Sequence, residues 1–519
     1  MGLRQRRPYD PANVPFPAPS RRCGRLTTLA PSATRDLAAT EIVGLDDVLK
    51  GGLTRSRLYL LEGSPGTGKT TLAMQFLLAA AGRGEPVLYV TLSESEEELR
   101  AVALSHGWNL DGINIHELTP SSETIEPDEQ YTMFHASEVE LGATLKVVLD
   151  GIVRLKPTCI VFDSLSELRL LAGNPLRYRR HILALKHFLG ARQCTTMLLD
   201  DMTAVDQDLQ VQSIAHGVIR LEQTSSEYGT ERRRLRIVKL RGVGFRSGFH
   251  DYVIREGGIE VFPRLVPSEH RHIASRMKHS SGIQGMDQLL GGGIEEGTST
   301  LIVGAAGTGK STLATQFAVA AASHQRRAAM FVFDENPATL ITRCTELGID
   351  LAGSIERGEI SILQVDPAEL APGEFIQAVR RAVTEQKASI VIIDSLNGYL
   401  NAMPGERFLT IQLHELLMYL GQQSVATILI GAHSGLIGSA MHTPVDASYL
   451  ADAVILLRYF EARGQVRQAI SVVKKRGSQH ERTIREFSLE TGGIRVGEPL
   501  REFRGVLTGV PVPEEAAPR

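Results

Sequence analysis

Two long stretches of this 519-residue chain spell one pattern, 241 residues apart. GLDDVLKGGL, starting at Gly44, returns as GMDQLLGGGI at Gly285, and GSPGTGKTTLAMQF at Gly63 returns as GAAGTGKSTLATQF at Gly304. The offset of 241 holds without a gap to Glu94 and Glu335. It drifts to 231 between FDSL at Phe162 and IDSL at Ile393, and to 235 between VKLRG at Val238 and VKKRG at Val473. EGGIEV and TGGIRV close the two copies. Repetition on this scale means a duplicated domain, because a chain of this length exceeds what one hydrophobic core organises. The expected organisation is a Pro/Arg-rich disordered leader (1–38), a first domain (39–265), a linker (266–278), a second domain (279–503) and a short tail (504–519).

Within each copy, runs apolar at every position alternate with helix-length segments. RLYLLEG, PVLYVTL, TCIVFD and TTMLLD match STLIVG, AAMFVFD, SIVIID and ATILIG. Strands buried on both faces belong to parallel sheets covered by helices, so the fold class is α/β: two tandem domains, each a mostly parallel sheet flanked by helices. With 43% hydrophobic and 22% charged residues the composition is ordinary for globular protein. A net charge of -3 leaves no electrostatic footprint for nucleic acid or anionic lipid. No segment is apolar enough to span a membrane, and the four cysteines have no metal-site spacing. A soluble, cytoplasmic protein with free thiols is expected.

Each copy carries G-x-x-x-x-G-K-S/T after an apolar strand and before a helix. Gly63, Ser64, Gly66, Thr67, Gly68, Lys69 and Thr70 form one cradle, and Gly304, Gly307, Thr308, Gly309, Lys310 and Ser311 the other. Glycines let backbone N–H groups curl around phosphates at a helix N-terminus, whose dipole favours anions. Lys69 and Lys310 are placed for the β- and γ-phosphates of ATP, and the hydroxyls of Thr70 and Ser311 for Mg2+. Asp163 and Asp394 end the strands TCIVFD and SIVIID, where a carboxylate holds magnesium through water; capping the next turn is the plainer alternative. Hydrolysis also asks for a group that orients or deprotonates water. Glu94 in the first copy, and Asp334 with Glu335 in the second, follow the neighbouring strands. A solvated acidic turn at a helix start would look similar.

Together these residues resemble the KaiC family of RecA-like ATPases, over nearly the whole chain beyond residue 40. More specific than the phosphate cradles are the G-L/M-D opening before each, the acidic pair, and the endings KLRG and KKRGSQH followed by IREF. The resemblance implies a homohexamer with ATP between subunits. Lys239, Arg241, Lys474 and Arg476 would then act in trans on a neighbour's phosphates, although strand-end cations are otherwise commonly just solvated. It also implies that Ser448 occupies a phosphoacceptor position, with Tyr449 replacing the second, threonine, site. The sequence departs from the family at Ser93, where a first glutamate is usual, and at Phe245, where a histidine is usual; His480 keeps that place in the second copy. The few residues after LREFRGVLTG are not expected to match the longer C-terminal tail that the resemblance implies.

Three functions follow as expectations. The first is a KaiC-like ATPase with serine/threonine autokinase activity in its second domain, acting in signalling or timing. The second is an ATPase switch that assembles with signalling partner proteins and has no kinase output. The third, a RecA-like DNA-processing ATPase, is opposed by the acidic net charge and by sparse aromatics for stacking bases.

Overall fold

The computed structural model describes residues 36–118, 136–202, 209–225, 229–269, 277–401, 408–432, 449–506 and 512–513. The first sheet contains β1 (Leu58–Glu62), β2 (Val87–Thr91), β3 (Asn114–Glu117), β4 (Cys159–Asp163), β5 (Thr195–Asp200), β6 (Gly217–Thr224), β7 (Arg232–Leu240), β8 (His250–Arg255) and β9 (Gly258–Phe262). The second contains β10 (Ser299–Gly304), β11 (Arg327–Val332), β12 (Ile360–Gln364), β13 (Ala388–Asp394), β14 (Ala426–Ala432), β15 (Ala453–Ala462), β16 (Gln465–Lys475), β17 (Arg485–Glu490) and β18 (Gly493–Pro499). The orders are β3-β2-β4-β5-β1-β6-β7-β8-β9 and β12-β11-β13-β14-β10-β15-β16-β17-β18, which is one topology built twice. In each sheet the first six strands run parallel and the last three extend it as an antiparallel meander. All eight apolar runs singled out in the sequence are parallel strands.

Alternation along these strands explains why they are apolar throughout. Tyr59 and Leu61 face one core with Leu72, Phe76 and Leu77 of the helix Lys69–Gly82. Leu58 and Leu60 face the opposite core with Leu168, Tyr178 and Ile182. The second sheet repeats this, with Ile302 and Ile392 packed on Leu313 and Phe317 and with Leu301 and Ile393 turned toward Leu413 and Leu416. Period-two burial on both faces is what a parallel sheet under two helix layers requires. Among the described residues, no helix is long and apolar enough to cross a membrane.

The G-L/M-D opening is a clamp between the two ends of each domain. Gly44 adopts φ +79° with its Cα against the Val261 carbonyl; a Cβ there would lie 1.9 Å from that oxygen. Gly285 stands likewise against the Val496 carbonyl. Two residues on, Asp46 accepts from Thr40 N at 3.0 Å, Thr40 Oγ1 at 2.8 Å and Glu41 N at 2.9 Å. Asp287 accepts from Ser281 N and Ser281 Oγ, both at 2.8 Å. The carboxylate thus satisfies the donors of the entering chain, which would otherwise be left without partners. Asp46→Ala should therefore destabilise the first domain by about 2 kcal/mol, since several donors lose a charged acceptor at once. Thermal or urea unfolding of the variant checks this, and an unchanged midpoint would mean that water replaces the carboxylate without cost.

Candidate functional site: two phosphate cradles

Each cradle leaves the carboxyl end of a central strand, β1 or β10, and runs into a helix, Lys69–Gly82 or Lys310–Ser323. The glycine before each lysine is left-handed, Gly68 at φ +85° and Gly309 at φ +88°. A Cβ at Gly68 would stand 2.6 Å from Ile254 Cδ1, so both conformation and packing require glycine there. Thr67 Oγ1 donates to Ser64 O at 2.8 Å, and Thr308 Oγ1 to Ala305 O at 2.8 Å, holding each loop curled. Lys69 Nζ folds back on Gly63 O at 2.9 Å, and Lys310 Nζ on Ala305 O at 2.7 Å. Burial pulls the Lys310 ammonium below its usual range, partly offset by Asp394. An arriving polyphosphate would supply the negative charge that this buried cation lacks.

The strand-end aspartates face the cradles from β4 and β13. Asp163 Oδ2 accepts from Thr70 Oγ1 at 2.8 Å and from Tyr89 OH at 2.6 Å. Burial raises the Asp163 carboxyl above its ordinary value, against the pull of those two hydroxyls. Asp394 is raised to about 6, first by burial, with the Ser311 hydroxyl pulling it back and Glu335 and Asp334 pushing it up. Its Oδ2 is buried without a hydrogen-bond partner among the described residues. The peptide bond after each aspartate is cis. A hydroxyl beside an under-satisfied carboxylate is a donor set that fits magnesium, which prefers few protein oxygens together with waters and substrate phosphates.

The carboxylates proposed for water activation sit differently in the two copies. Glu94 precedes the helix Glu96–Ser105, whose N-cap is Ser95; its Oε2 is buried and has no hydrogen-bond partner among the described residues. Burial raises its carboxyl, helped by the charges of Asp163, Glu98 and Asp201. In the second copy the two neighbouring acids part ways. Asp334 accepts from the Ser395 hydroxyl, whereas Glu335 is held by both guanidinium nitrogens of Arg343, at 2.5 and 2.9 Å. The 241-residue offset puts Val102 opposite Arg343, so nothing at that place grips Glu94.

Lys239, Arg241, Lys474 and Arg476 lie where β7 and β16 finish, level with the early part of β6 and β15 and away from their own cradles. Lys239 Nζ donates to Gln212 O, Arg241 to Ser213 O at 2.7 Å, Lys474 Nζ to Ala451 O at 2.8 Å and Arg476 to Tyr449 O at 3.3 Å. Arg241 and Arg476 are exposed. Ser448 lies outside the described residues.

Besides Tyr89, three contributors were not singled out from sequence. Asp201 forms an ion pair with Lys69 at 3.3 Å and accepts from Ser166 Oγ at 3.0 Å; the doubled aspartate ending TTMLLDD was its signal. Tyr252 OH donates to Thr67 O at 2.6 Å, bracing the first cradle from β8. Arg343, in the last turn of the helix Pro337–Glu346, carried no signal of its own.

A family profile described as "ATPase: KaiC" matches residues 38–266 and, separately, residues 279–501. The chain is 29% identical over 478 residues to the "Circadian clock oscillator protein KaiC" of Thermostichus vulcanus, covering 91% of each chain. It is 28% identical over 478 residues to the protein of that name from Acaryochloris marina, covering 91% of this chain and 90% of the relative.

Asp394 makes folding pH-dependent in the unliganded protein. Its folded pKa of about 6 lies above the ordinary 3.8, so its stabilising contribution is complete below 3.8 and is lost as pH rises through about 6. A shift of this size corresponds to on the order of 3 kcal/mol. Asp394→Asn cannot ionise and should remove this component. Unfolding free energies of the two proteins should therefore diverge in the variant's favour by about that much between pH 4 and 7, then run parallel. Parallel curves across the whole range would mean that the carboxylate is solvated.

Proposed function

The chain belongs to the KaiC family of ATPases, and on that footing we propose that it binds one ATP in each cradle, with magnesium, and hydrolyses both slowly. The observation that carries this reading is that two complete cradles each face a buried strand-end carboxylate beside the cradle hydroxyl, Asp163 with Thr70 and Asp394 with Ser311. Magnesium would supply charge neutralisation between the phosphate oxygens. Lys69 and Lys310 orient the phosphates, and a carboxylate that keeps its proton affinity in a buried setting is suited to take one from water. Glu94 is the base in the first domain. In the second, Glu335 must leave Arg343 before it can serve, or Asp334 takes the role.

The assembly that fits this chemistry is a homohexamer with ATP at subunit boundaries. Lys239, Arg241, Lys474 and Arg476 stand away from their own cradles, so they are of catalytic use only to a neighbour, where they would stabilise charge on the transferring phosphoryl group. The relatives are named as circadian clock oscillator proteins. For this chain the corresponding proposal is signalling or timing in the cytoplasm, with Ser448 as the acceptor of an autokinase reaction in the second domain. A second reading, an ATPase switch that recruits partner proteins without kinase output, draws support from Arg343 occupying Glu335 and from Tyr449 replacing the paired acceptor.

Lys69→Ala and Lys310→Ala should each remove about half the nucleotide bound per chain. Glu94→Gln and Glu335→Gln should each slow phosphate release at their own site by on the order of a hundredfold. Unchanged turnover in the double glutamine variant would place the base elsewhere. The kinase step is tested by incubating wild type and Ser448→Ala with magnesium and ATP and comparing intact masses. A phosphate that disappears in the variant supports the autokinase, while no phosphate on either protein leaves the switch.

A further inference from the structure

The amino ends of the first domain's parallel strands, opposite the cradle, border an open cavity of about 550 Å3 lined by Arg57, Lys186, His216, Arg241 and Thr196, with both arginines exposed at its mouth. Among the described residues no carboxylate lines it. Its cations press on one another: burial pulls Lys186 below its usual range, and Arg241 and Arg57 pull it further. His216 is likewise pulled down by burial, then by Arg57 and Arg241. Two lining residues keep a buried polar atom without a hydrogen-bond partner among the described residues, Thr196 Oγ1 and His216 Nε2. Thr196 is only 1% exposed. Lys186 Nζ, Arg57 and Arg241 each donate to a backbone carbonyl, of Ile214, Ser56 and Ser213, and among the described residues none meets a carboxylate in the cavity. An anion with several acceptor oxygens would offset the like charges and accept from the Thr196 hydroxyl.

The second domain provides an internal control, because matching backbone hydrogen bonds identify equivalent positions. His216 N donates to Leu58 O at 2.7 Å and Asp452 N to Ser299 O at 2.8 Å. Thr196 N donates to Arg57 O and Thr427 N to Thr298 O, both at 2.9 Å. Cys194 N reaches Leu189 O as Val425 N reaches Leu420 O, which places Leu417 opposite Lys186. The second domain therefore has Thr298, Leu417 and Asp452 where the first has Arg57, Lys186 and His216. It keeps only the arginine, Arg476, whose guanidinium stands 3.9 Å from Asp452. Common ancestry explains the shared arginine and leaves the three extra basic residues of the first domain to be explained.

We infer that this cavity is a binding site for a phosphate-bearing anion, present in the first domain and lost in the second, where a neutral hydroxyl, an apolar and an acidic residue take the place of its basic residues. Its volume falls within the roughly 300–1,000 Å3 typical of small-molecule sites. The phosphate has two possible sources: the nucleotide in a neighbouring subunit's cradle, reached through Arg241, or a free phosphorylated compound. Only the first source rests on the ATPase assembly proposed above.

The test uses the full chain carrying Lys69→Ala and Lys310→Ala, so that neither cradle grips phosphate, titrated calorimetrically with inorganic tripolyphosphate. One binding event per chain is expected. Adding Arg57→Thr and Lys186→Leu, the residues the second domain tolerates at those places, should weaken it at least about tenfold, the loss of one or more charge-assisted contacts. Lys186→Gln, which removes charge and keeps bulk, should weaken it in the same direction, and circular dichroism melts confirm that each variant is folded. Absence of binding, or binding undiminished in both folded variants, overturns the inference. The source is read separately by introducing Arg57→Thr and Lys186→Leu into the chain with intact cradles. Weaker ATP-dependent assembly by sedimentation identifies the neighbour's nucleotide, and unchanged assembly together with lost tripolyphosphate binding identifies a free ligand. A chain with intact cradles that neither hydrolyses ATP nor assembles would defeat the ATPase reading and leave the tripolyphosphate result standing.

Discussion

A carboxylate forced out of water at the tip of a strand organises each half of this protein. Asp163 and Asp394 end β4 and β13 beneath a covering helix layer, so burial raises the cost of their charge. Each is met by the hydroxyl that opens the neighbouring helix, Thr70 or Ser311, and that helix in turn begins with the curled loop of left-handed glycines. Strand, loop, helix and carboxylate therefore constrain one another. A shift of β4 against β1 would separate Thr70 from Asp163 and leave the buried acid with Tyr89 in place of two hydroxyl donors. A buried carboxylate beside a hydroxyl is the kind of donor set that a divalent cation carrying a polyphosphate would suit.

The two copies share this frame but differ in what surrounds it. In the first, Asp201 pairs with Lys69 and Tyr89 adds a second hydroxyl to Asp163. In the second, Ala432 stands where Asp201 would be, and Asp394 keeps an oxygen without a hydrogen-bond partner among the described residues. The acidic turn diverges in the opposite sense: Glu94 is buried and under-satisfied, whereas Glu335 is neutralised by Arg343. Duplication thus preserved the phosphate-binding geometry, which depends on backbone shape. The charges that tune it depend on single side chains and were free to drift apart.

How much of this was legible beforehand depends on the range of the interaction involved. The duplication, the eight buried strands and both cradles follow from patterns confined to a dozen residues or fewer, where glycine conformation, strand alternation and helix dipoles act locally. Asp163 and Asp394 were visible because they end apolar runs downstream of a cradle. Asp201 had the same kind of signal in TTMLLDD and could have been found by applying the same reasoning to the next strand. Tyr89, Tyr252 and Arg343 could not, since nothing near them in sequence marks the partner that each meets across the fold.

By itself, the sequence determined that the chain would form two parallel-sheet domains and that each would present a loop of N–H groups to phosphate. It also determined which lysines and hydroxyls stand at that loop, because those properties are written in local spacing. Only the tertiary structure decided which carboxylates are buried and short of donors and which glutamate is held by an arginine. It likewise decided that Arg57, Lys186, His216 and Arg241, drawn from four separate segments, converge on one cavity. Desolvation and charge–charge coupling are properties of proximity, and proximity between residues more than a hundred positions apart exists only once the sheet has brought their strands side by side.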